Sequence, residues 1–520
     1  LVDARTAVVQ NISSKAGSES SLTLNSDGLS GDLQVGSRLY ETTYNPGDWS
    51  GDVKAYSVDY ITGVPQLPAL WSTRQLLEDF LDSASTAHTT RIIATYDGSR
   101  ALGSRGIPFK YAYLTATQQA LMHSDSTAVD YLRGDSSLEV QKGGSFRDRV
   151  WHLGDIVNSM AVYNDDVLYV GANDGMLHAF SATSGEELFA YVPNLVLGNM
   201  YNLTQTTYTH NFFVNASPTV RRVGTSTTYL FGGLGKGGKG YYCLDISPAK
   251  TATFQDLSAS QVAKETQLNS MVKWEYSGAC PTLDNDLGYT FSDADMLRSN
   301  ATSVNSGLPV AGYVLFFGNG YSSPNGSAVL YCLNPETGAV IKKIDTQSGP
   351  GNGLTTPVVF DGNGDFRVDY AYAGDLKGNL WKFDLSSADP ANWDVAYKIG
   401  GVPEPVFRTQ SPGQPITSRP EVMYAPNNEN TGEANPGYMV IFGTGKYLGV
   451  SDISDTSQQS VYGIWDYGDD ADNAEFLGRF APGAAQKLSN QPVGYTLLEQ
   501  TEIYESETVV ANFSAIPPTT

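Results

Sequence analysis

The chain has 520 residues, 41% of them hydrophobic, which is enough apolar side chain for a large buried core and excludes the low-hydrophobicity disordered class. Its 32 Lys and Arg stand against 55 Asp and Glu, a formal net charge of −23. A surface so acidic repels nucleic-acid phosphates and anionic lipid headgroups, so neither is an expected partner. No 18-residue apolar run is present to span a membrane, and the chain opens on Leu1 rather than Met. We therefore expect a processed or excerpted secreted protein whose export signal lies outside this sequence.

In chain order, residues 1–48 read as an N-terminal segment, either strands packing on the main domain or a linker from an upstream one. Residues 49–470 read as one all-β domain, because 53 Gly and 31 Tyr place glycine-rich turns between short Tyr, Val, Leu and Phe runs. Helical periodicity is scarce. Trp71–Leu81 has the spacing of a short amphipathic helix, and Tyr111–Leu132 is a second helical candidate.

One frame recurs along the domain: an apolar strand, a Gly turn, a second strand, then Asp or Asn and a Thr-Gly or Pro turn. It appears in Val167–Phe180 with the turn closing at Gly185, in Tyr229–Asp245, in Tyr313–Gly338, in Asp369–Asp384, and in Tyr438–Gly443 with Tyr462–Asp466. Weaker copies are Gly51–Tyr56 and Arg91–Gly98. Seven copies predict a modified seven-bladed β-propeller, in which neighbouring blades bury each other's faces. Long insertions are expected at Ala101–Phe146, Pro193–His210, Ala249–Leu297 and Pro403–Pro436, and residues 471–520 form a C-terminal segment that could belong to the closing blade.

The strongest chemical signal is Asp361-Gly-Asn363-Gly-Asp365-Phe-Arg367-Val-Asp369. Side-chain oxygens at the first, third, fifth and ninth places, with the main-chain carbonyl of Arg367 at the seventh, form a Ca²⁺ ligand pattern for a hard cation that prefers oxygen. The competing reading is an acidic turn whose Asp and Asn cap their own backbone. Phe366 stands where an EF-hand loop requires Gly, so the loop cannot simply be an EF-hand.

Other motifs carry less. Arg133-Gly134-Asp135 matches the integrin-binding tripeptide, against the alternative of an Asp-rich turn. Gly235–Gly240 lacks the Lys-Ser/Thr and helix of a phosphate loop and reads as a hairpin turn. Asp284-Asn-Asp286 and Asp293-Ala-Asp295 read as solvated turns rather than cation sites. The five histidines show no metal spacing, and His178 reads as a packed strand residue. Cys243, Cys280 and Cys332 make neither a disulfide framework nor a zinc set; Cys243 and Cys332 fall at matching places in two copies and read as small buried residues.

Taken in order, Asp48-Trp-Ser-Gly51, Tyr131-Leu-Arg-Gly-Asp135, Leu153-Gly-Asp-Ile-Val-Asn-Ser159, Gly318-Asn-Gly-Tyr321, Asn352-Gly-Leu354, Tyr372-Ala-Gly-Asp-Leu376 and Trp381-Lys-Phe-Asp384 resemble the C-terminal domain of PilY proteins. These are tip-associated adhesins and assembly factors of bacterial type IV pili. The resemblance implies a propeller with a calcium loop at Asp361, Asn363, Asp365 and Asp369, calcium control of pilus extension against retraction, minor pilins as partners, and host or abiotic surfaces as targets. It implies an extracellular or cell-surface location and no enzyme activity. The sequence departs from the family at Val214-Asn-Ala-Ser-Pro218 and at Phe366. Family members commonly carry an upstream von Willebrand factor A-like domain and continue past Thr520. The alternative is a pyrroloquinoline-quinone propeller oxidoreductase, suggested by the letters of Val170–Phe180. Against it, no two cysteines are adjacent, and the calcium donors fall in one loop rather than around an axis.

Overall fold

A computed structural model describes residues 21–24, 36–256, 258–277, 284–302, 312–410, 413–424 and 437–466. The C-terminal segment 471–520, most of the N-terminal segment and Cys280 lie outside the described residues. The chain is all-β with a few short helices. Its strands form successive small sheets that follow the sequence.

The first sheet runs Ser21–Leu24, Arg38–Asn45, Ser50–Val58 and Pro65–Ser72. The third contains Thr219–Val223, Thr227–Gly233, Gly240–Asp245 and Val272–Ser277; the fourth, Asp295–Arg298, Tyr313–Gly318, Val329–Leu333 and Val340–Asp345. The fifth is built on Val358–Phe360, Tyr370–Gly374 and Asn379–Asp384, and the sixth on Glu421–Tyr424, Tyr438–Gly443 and Val461–Asp466. In the second sheet, Val162–Asn164, Val167–Gly171, Leu177–Ser181 and Glu187–Val192 form the antiparallel blade. Ile93–Tyr96 then joins Glu187–Val192 in parallel, with Ala190 opposite Ile93.

That last pairing changes the repeat count. Arg91–Gly98 reads as a blade of its own, yet its strand Ile93–Tyr96 extends the second sheet: it lies between Glu187–Val192 and the short edge strand Gly106–Pro108, and the rest of 97–161 returns through turns and helices. The described residues hold six sheets of three or more strands plus a separate hairpin, Tyr397–Ile399 with Val402–Glu404, so the expected seventh blade is not found among them.

The repeats are structural as well as textual. Cys243 lies opposite Phe231 and Cys332 opposite Phe316, and the register shifts immediately after each cysteine, at Cys243/Leu244 and Cys332/Leu333. Both thiols are free and fully buried, as their matching places predict. Val329–Leu333 is buried along its whole length because both faces of its sheet are covered. Val314, Phe316, Leu330 and Cys332 share a core with Trp381 and Phe383 of the fifth sheet and with Trp393 in the turn that follows Asn379–Asp384. Leu315, Phe317 and Tyr331, the alternate residues, share one with Tyr229, Tyr241 and Trp274 of the third. Burial of each such side chain contributes about 2 kcal/mol, so the stacking between sheets stabilises the array.

The predicted helix at Trp71–Leu81 forms over Thr73–Asp82, capped by Ser72, whose Oγ accepts from Gln75 N. Tyr111–Leu132 resolves into a 3-10 turn and two short helices, Ala116–Leu121 and Ser126–Leu132. The Ala249–Leu297 insertion is not all loop: it carries helices Pro248–Gln255 and Gln261–Met271 and the outer strand Val272–Ser277. Gly235–Gly240 is a hairpin turn, as read from its flanking strands. No helix among the described residues is long and apolar enough to cross a membrane.

Candidate functional site

Residues 361–369 connect Val358–Phe360 to Tyr370–Gly374, two antiparallel strands of the fifth sheet. Strands rather than helices leave the loop, so an EF-hand bend is not required. Gly364 and Phe366 take left-handed backbones, φ 85° and 64°. The Phe366 ring stands 86% exposed, which explains how the sixth place accepts a bulky residue. Gly362 is needed for close approach, since a Cβ there would lie 2.7 Å from Tyr438 Oη and 2.9 Å from the Tyr370 ring.

The loop's side-chain oxygens accept from its own amides in a regular series. Asp361 Oδ1 accepts from the amides of Asn363 (3.0 Å) and Gly364 (2.6 Å), and its Oδ2 from that of Phe366 (2.5 Å). Asn363 Oδ1 accepts from Asp365 N and Asp365 Oδ1 from Arg367 N, each at 2.9 Å. Asp369, buried at the loop's end, accepts from Gly362 N at 3.0 Å through Oδ2 and from Asn300 Nδ2 at 2.9 Å through Oδ1. Arg367 Nη1 donates to Ser299 O at 2.8 Å, so its charge turns away from the acidic residues.

Burial pushes the Asp369 carboxyl up, and the charges of Asp365 and Asp361 add to that, against the lowering bonds from Asn300 and Gly362. For Asp361, partial burial acts upward, but the amides of Gly364, Phe366, Asn363 and Asp365 together hold it below its ordinary value. Among the described residues, no three Asp, Glu, His or Cys side chains gather closely enough to hold a metal by themselves. A hard-cation site here would need the Asn363 oxygen and the Arg367 carbonyl as well, and the five donors are all oxygen, the chemistry Ca²⁺ takes. The self-capping bonds of the competing reading are present too, and they hold Asp361, Asn363 and Asp365 in successive turns.

The structure places the Arg133 and Gly134 of the integrin-like tripeptide inside the fold and leaves Asp135 half-buried. Arg133 is 1% exposed, and its guanidinium donates to the carbonyls of Phe109 (2.9 Å), His88 (2.9 Å), Thr89 (3.3 Å) and Arg91 (2.8 Å). An arginine spent on four internal carbonyls is not offered to a partner. Asp135 caps Ser137, its Oδ1 accepting from the amide at 2.9 Å and its Oδ2 from Oγ at 2.9 Å. Asp284 and Asp286 share the ammonium of Lys343, which lies 2.9 Å from Asp284 Oδ1, so this pair already has its cation.

Two buried charge networks escaped the sequence reading. Lys382 is buried with Asp466, Nζ to Oδ2 at 2.9 Å, inside a box of the Tyr370, Tyr372, Tyr397 and Tyr438 rings. His178 was read as a packing residue and is fully buried, but it also bonds Glu187 Oε1 through Nδ1 (2.8 Å) and Asp174 through Nε2. The only sequence signal was a charged residue between large apolar neighbours, as in Trp381-Lys-Phe383.

Stacked antiparallel sheets in sequence order, each sharing a core with the next, with function left to the turns, are the blades of a β-propeller. Residues 154–497 match the PilY1 beta-propeller domain, more than half of the chain, and the chain belongs to that family. It is 31% identical over 539 residues to the type IV pilus biogenesis factor PilY1 of Pseudomonas aeruginosa (strain UCBPP-PA14), covering 90% of this chain and 42% of that protein. A PilY1 homolog of Xylella fastidiosa (strain Temecula1 / ATCC 700964) is 30% identical, covering 88% of this chain and 34% of its own length. The chain thus spans well under half of these curated relatives. The crystal structure of the Pseudomonas aeruginosa PilY1 C-terminal domain is similar at 33% identity, with 62% of this chain and 61% of that one covered and a TM-score of 0.45.

Proposed function

We propose that this propeller is the calcium-responsive module of a type IV pilus biogenesis factor. In this reading it works outside the cell at the pilus tip, docked on minor pilins, in assembly, in the choice between extension and retraction, and in attachment to surfaces. The observation that carries the proposal is the ordered oxygen series of Asp361, Asn363, Asp365 and Asp369 in a chain that belongs to the PilY1 family.

Asp361, Asn363, Asp365 and Asp369 would hold Ca²⁺ with the Arg367 carbonyl; the ion supplies positive charge where the loop concentrates carboxylates. The chain's own residues set the loop's shape by capping its amides and exclude the Arg367 guanidinium from it. In this reading the role is structural rather than catalytic, in keeping with relatives that are named biogenesis factors.

Calorimetric titration of Ca²⁺ into the wild type and Asp369→Ala tests the site: equal heats would remove the assignment. Capture of minor pilins from the same organism by the calcium-loaded domain tests the partner, and absence of any complex would remove it. Sustained turnover of an alcohol with added pyrroloquinoline quinone would instead establish an oxidoreductase.

A further inference from the structure

The calcium loop is gripped from both sides by sheets other than its own. On one side stands the end of the outer strand of the fourth sheet: Asn300 Nδ2 donates to Asp369 Oδ1 (2.9 Å) and to Val368 O (3.1 Å), Val368 N donates to Arg298 O (2.8 Å), and Arg367 reaches Ser299 O. On the other side stands the sixth sheet: Tyr424 Oη donates to Asp361 O at 3.3 Å and Tyr438 Oη to Gly362 O at 3.2 Å. The Tyr438 ring meets Phe360 edge-on at 4.9 Å and stands 5.7 Å from Lys382 Nζ. Lys382 in turn pairs with Asp466, the last residue of the sixth sheet, which also accepts from Tyr397 Oη at 3.0 Å.

Groups that bond a metal's ligands fix the orientation of those ligands, and their loss weakens binding. Here such groups come from the two flanking sheets. We infer that Asn300, Tyr424 and Tyr438 are positioning residues of the cation loop, through which calcium occupancy tightens the joints between the fourth, fifth and sixth sheets. The inference rests on the calcium reading above. A ligand that favours the gripped arrangement stabilises both joints, and by reciprocity loosening either joint lowers calcium affinity. The output of the site is then the stiffness of a three-sheet sector, not a change confined to nine residues.

The test measures calcium affinity by calorimetry and amide hydrogen exchange with and without Ca²⁺ in the full chain, for the wild type, Tyr438→Phe and Asn300→Ala. In the wild type, calcium should slow exchange in Glu421–Tyr424, Tyr438–Gly443 and Asp295–Arg298 as well as in the loop. Tyr438→Phe keeps every proposed ligand and should bind about threefold more weakly, losing the slowing in the sixth sheet while keeping it in the loop. Asn300→Ala should bind about tenfold more weakly and lose the effect on the fourth sheet, with the calcium-free melting temperature moved far less than the calcium-loaded one. Wild-type binding with slowed exchange only inside 361–369, or unchanged affinity in both variants, overturns the inference and leaves the calcium reading standing. No heat of calcium binding in the wild type overturns both.

Discussion

Trp274 lies flat against Gly338: a Cβ placed on the glycine would come within 2.7 Å of the indole, whose Nε1 donates to Pro335 O at 2.9 Å. Trp71 and Gly185 repeat the arrangement one pair of sheets earlier: a Cβ on Gly185 would come within 2.6 Å of the indole, and Trp71 Nε1 donates to Thr183 O at 3.1 Å. In each case a tryptophan from one sheet's outer strand seats on the glycine turn of the next, Thr183-Ser-Gly185 or Thr337-Gly338. Gly338→Ala should therefore cost about 3 kcal/mol, from the left-handed backbone and the collision together. Gly351→Ala, at φ 75° with open space around it, should cost only about 1 kcal/mol. Equal losses in urea denaturation would refute the seating as the cause.

Arg91 and Glu187 are joined twice at 2.7 Å, and Glu187 also bonds His178. Burial opposes the charge on His178, but Asp174 and Glu187 outweigh it and raise its pKa to about 9; Arg91 and His178 likewise hold Glu187 well below its ordinary value despite burial. The raised histidine contributes stability that is complete below its ordinary 6.5 and is lost as pH climbs through 9. The lowered glutamate contributes stability that is present above its ordinary 4.5 and is lost on acidification. The network is thus strongest between these ordinary values. His178→Gln should lose about 2 kcal/mol near pH 6 and much less near pH 9.5, read as melting temperature against pH.

Glu275 runs the other way. Burial raises its carboxyl to about 8, against the lowering bonds from Tyr191 and the amides of Asn194 and Leu195; Oε1 accepts from Tyr191 Oη (2.6 Å) and Asn194 N (2.7 Å). The folded chain keeps this proton where the unfolded chain releases it, so stability falls as pH rises from 4.5 to 8 and stays reduced above. Glu275→Gln should be near neutral at pH 4.5 and stabilising by about 3 kcal/mol at pH 8.5. A variant no more stable at pH 8.5 than at pH 4.5, relative to wild type, would contradict this account.

Arg133 is a buried cation held by carbonyls, with burial and the neighbouring Arg91 charge lowering its pKa to about 10. Arg133→Met leaves four carbonyls short of a donor and should destabilise by about 3 kcal/mol. Integrin binding should be as absent in the wild type as in Asp135→Glu, measured with purified receptor.

Phe366→Gly relieves a left-handed phenylalanine whose ring buries almost nothing. It should raise stability slightly or leave it unchanged, by about 0.5 kcal/mol, since the relief of strain is partly offset by the entropy glycine adds to the unfolded chain. A loss above about 1 kcal/mol would show that the ring has a packing role.

The sequence by itself determined the class of fold, the blade-like repeat with its matched cysteines, and the calcium-type series at 361–369. All three are local: alternating apolar strands, turn glycines and donors at fixed spacing are written within a few residues of one another. Tertiary structure decided what depends on neighbours far along the chain. Ile93–Tyr96 became an added strand rather than a blade because it found Glu187–Val192, and Arg133 became a core cation because four distant carbonyls surround it. Nothing local marks Lys382 as an interior charge, yet with both faces of its sheet covered it pairs with Asp466 among the rings of Tyr370, Tyr372, Tyr397 and Tyr438. Burial on two faces is a property of the stacked array, which no single stretch of sequence records.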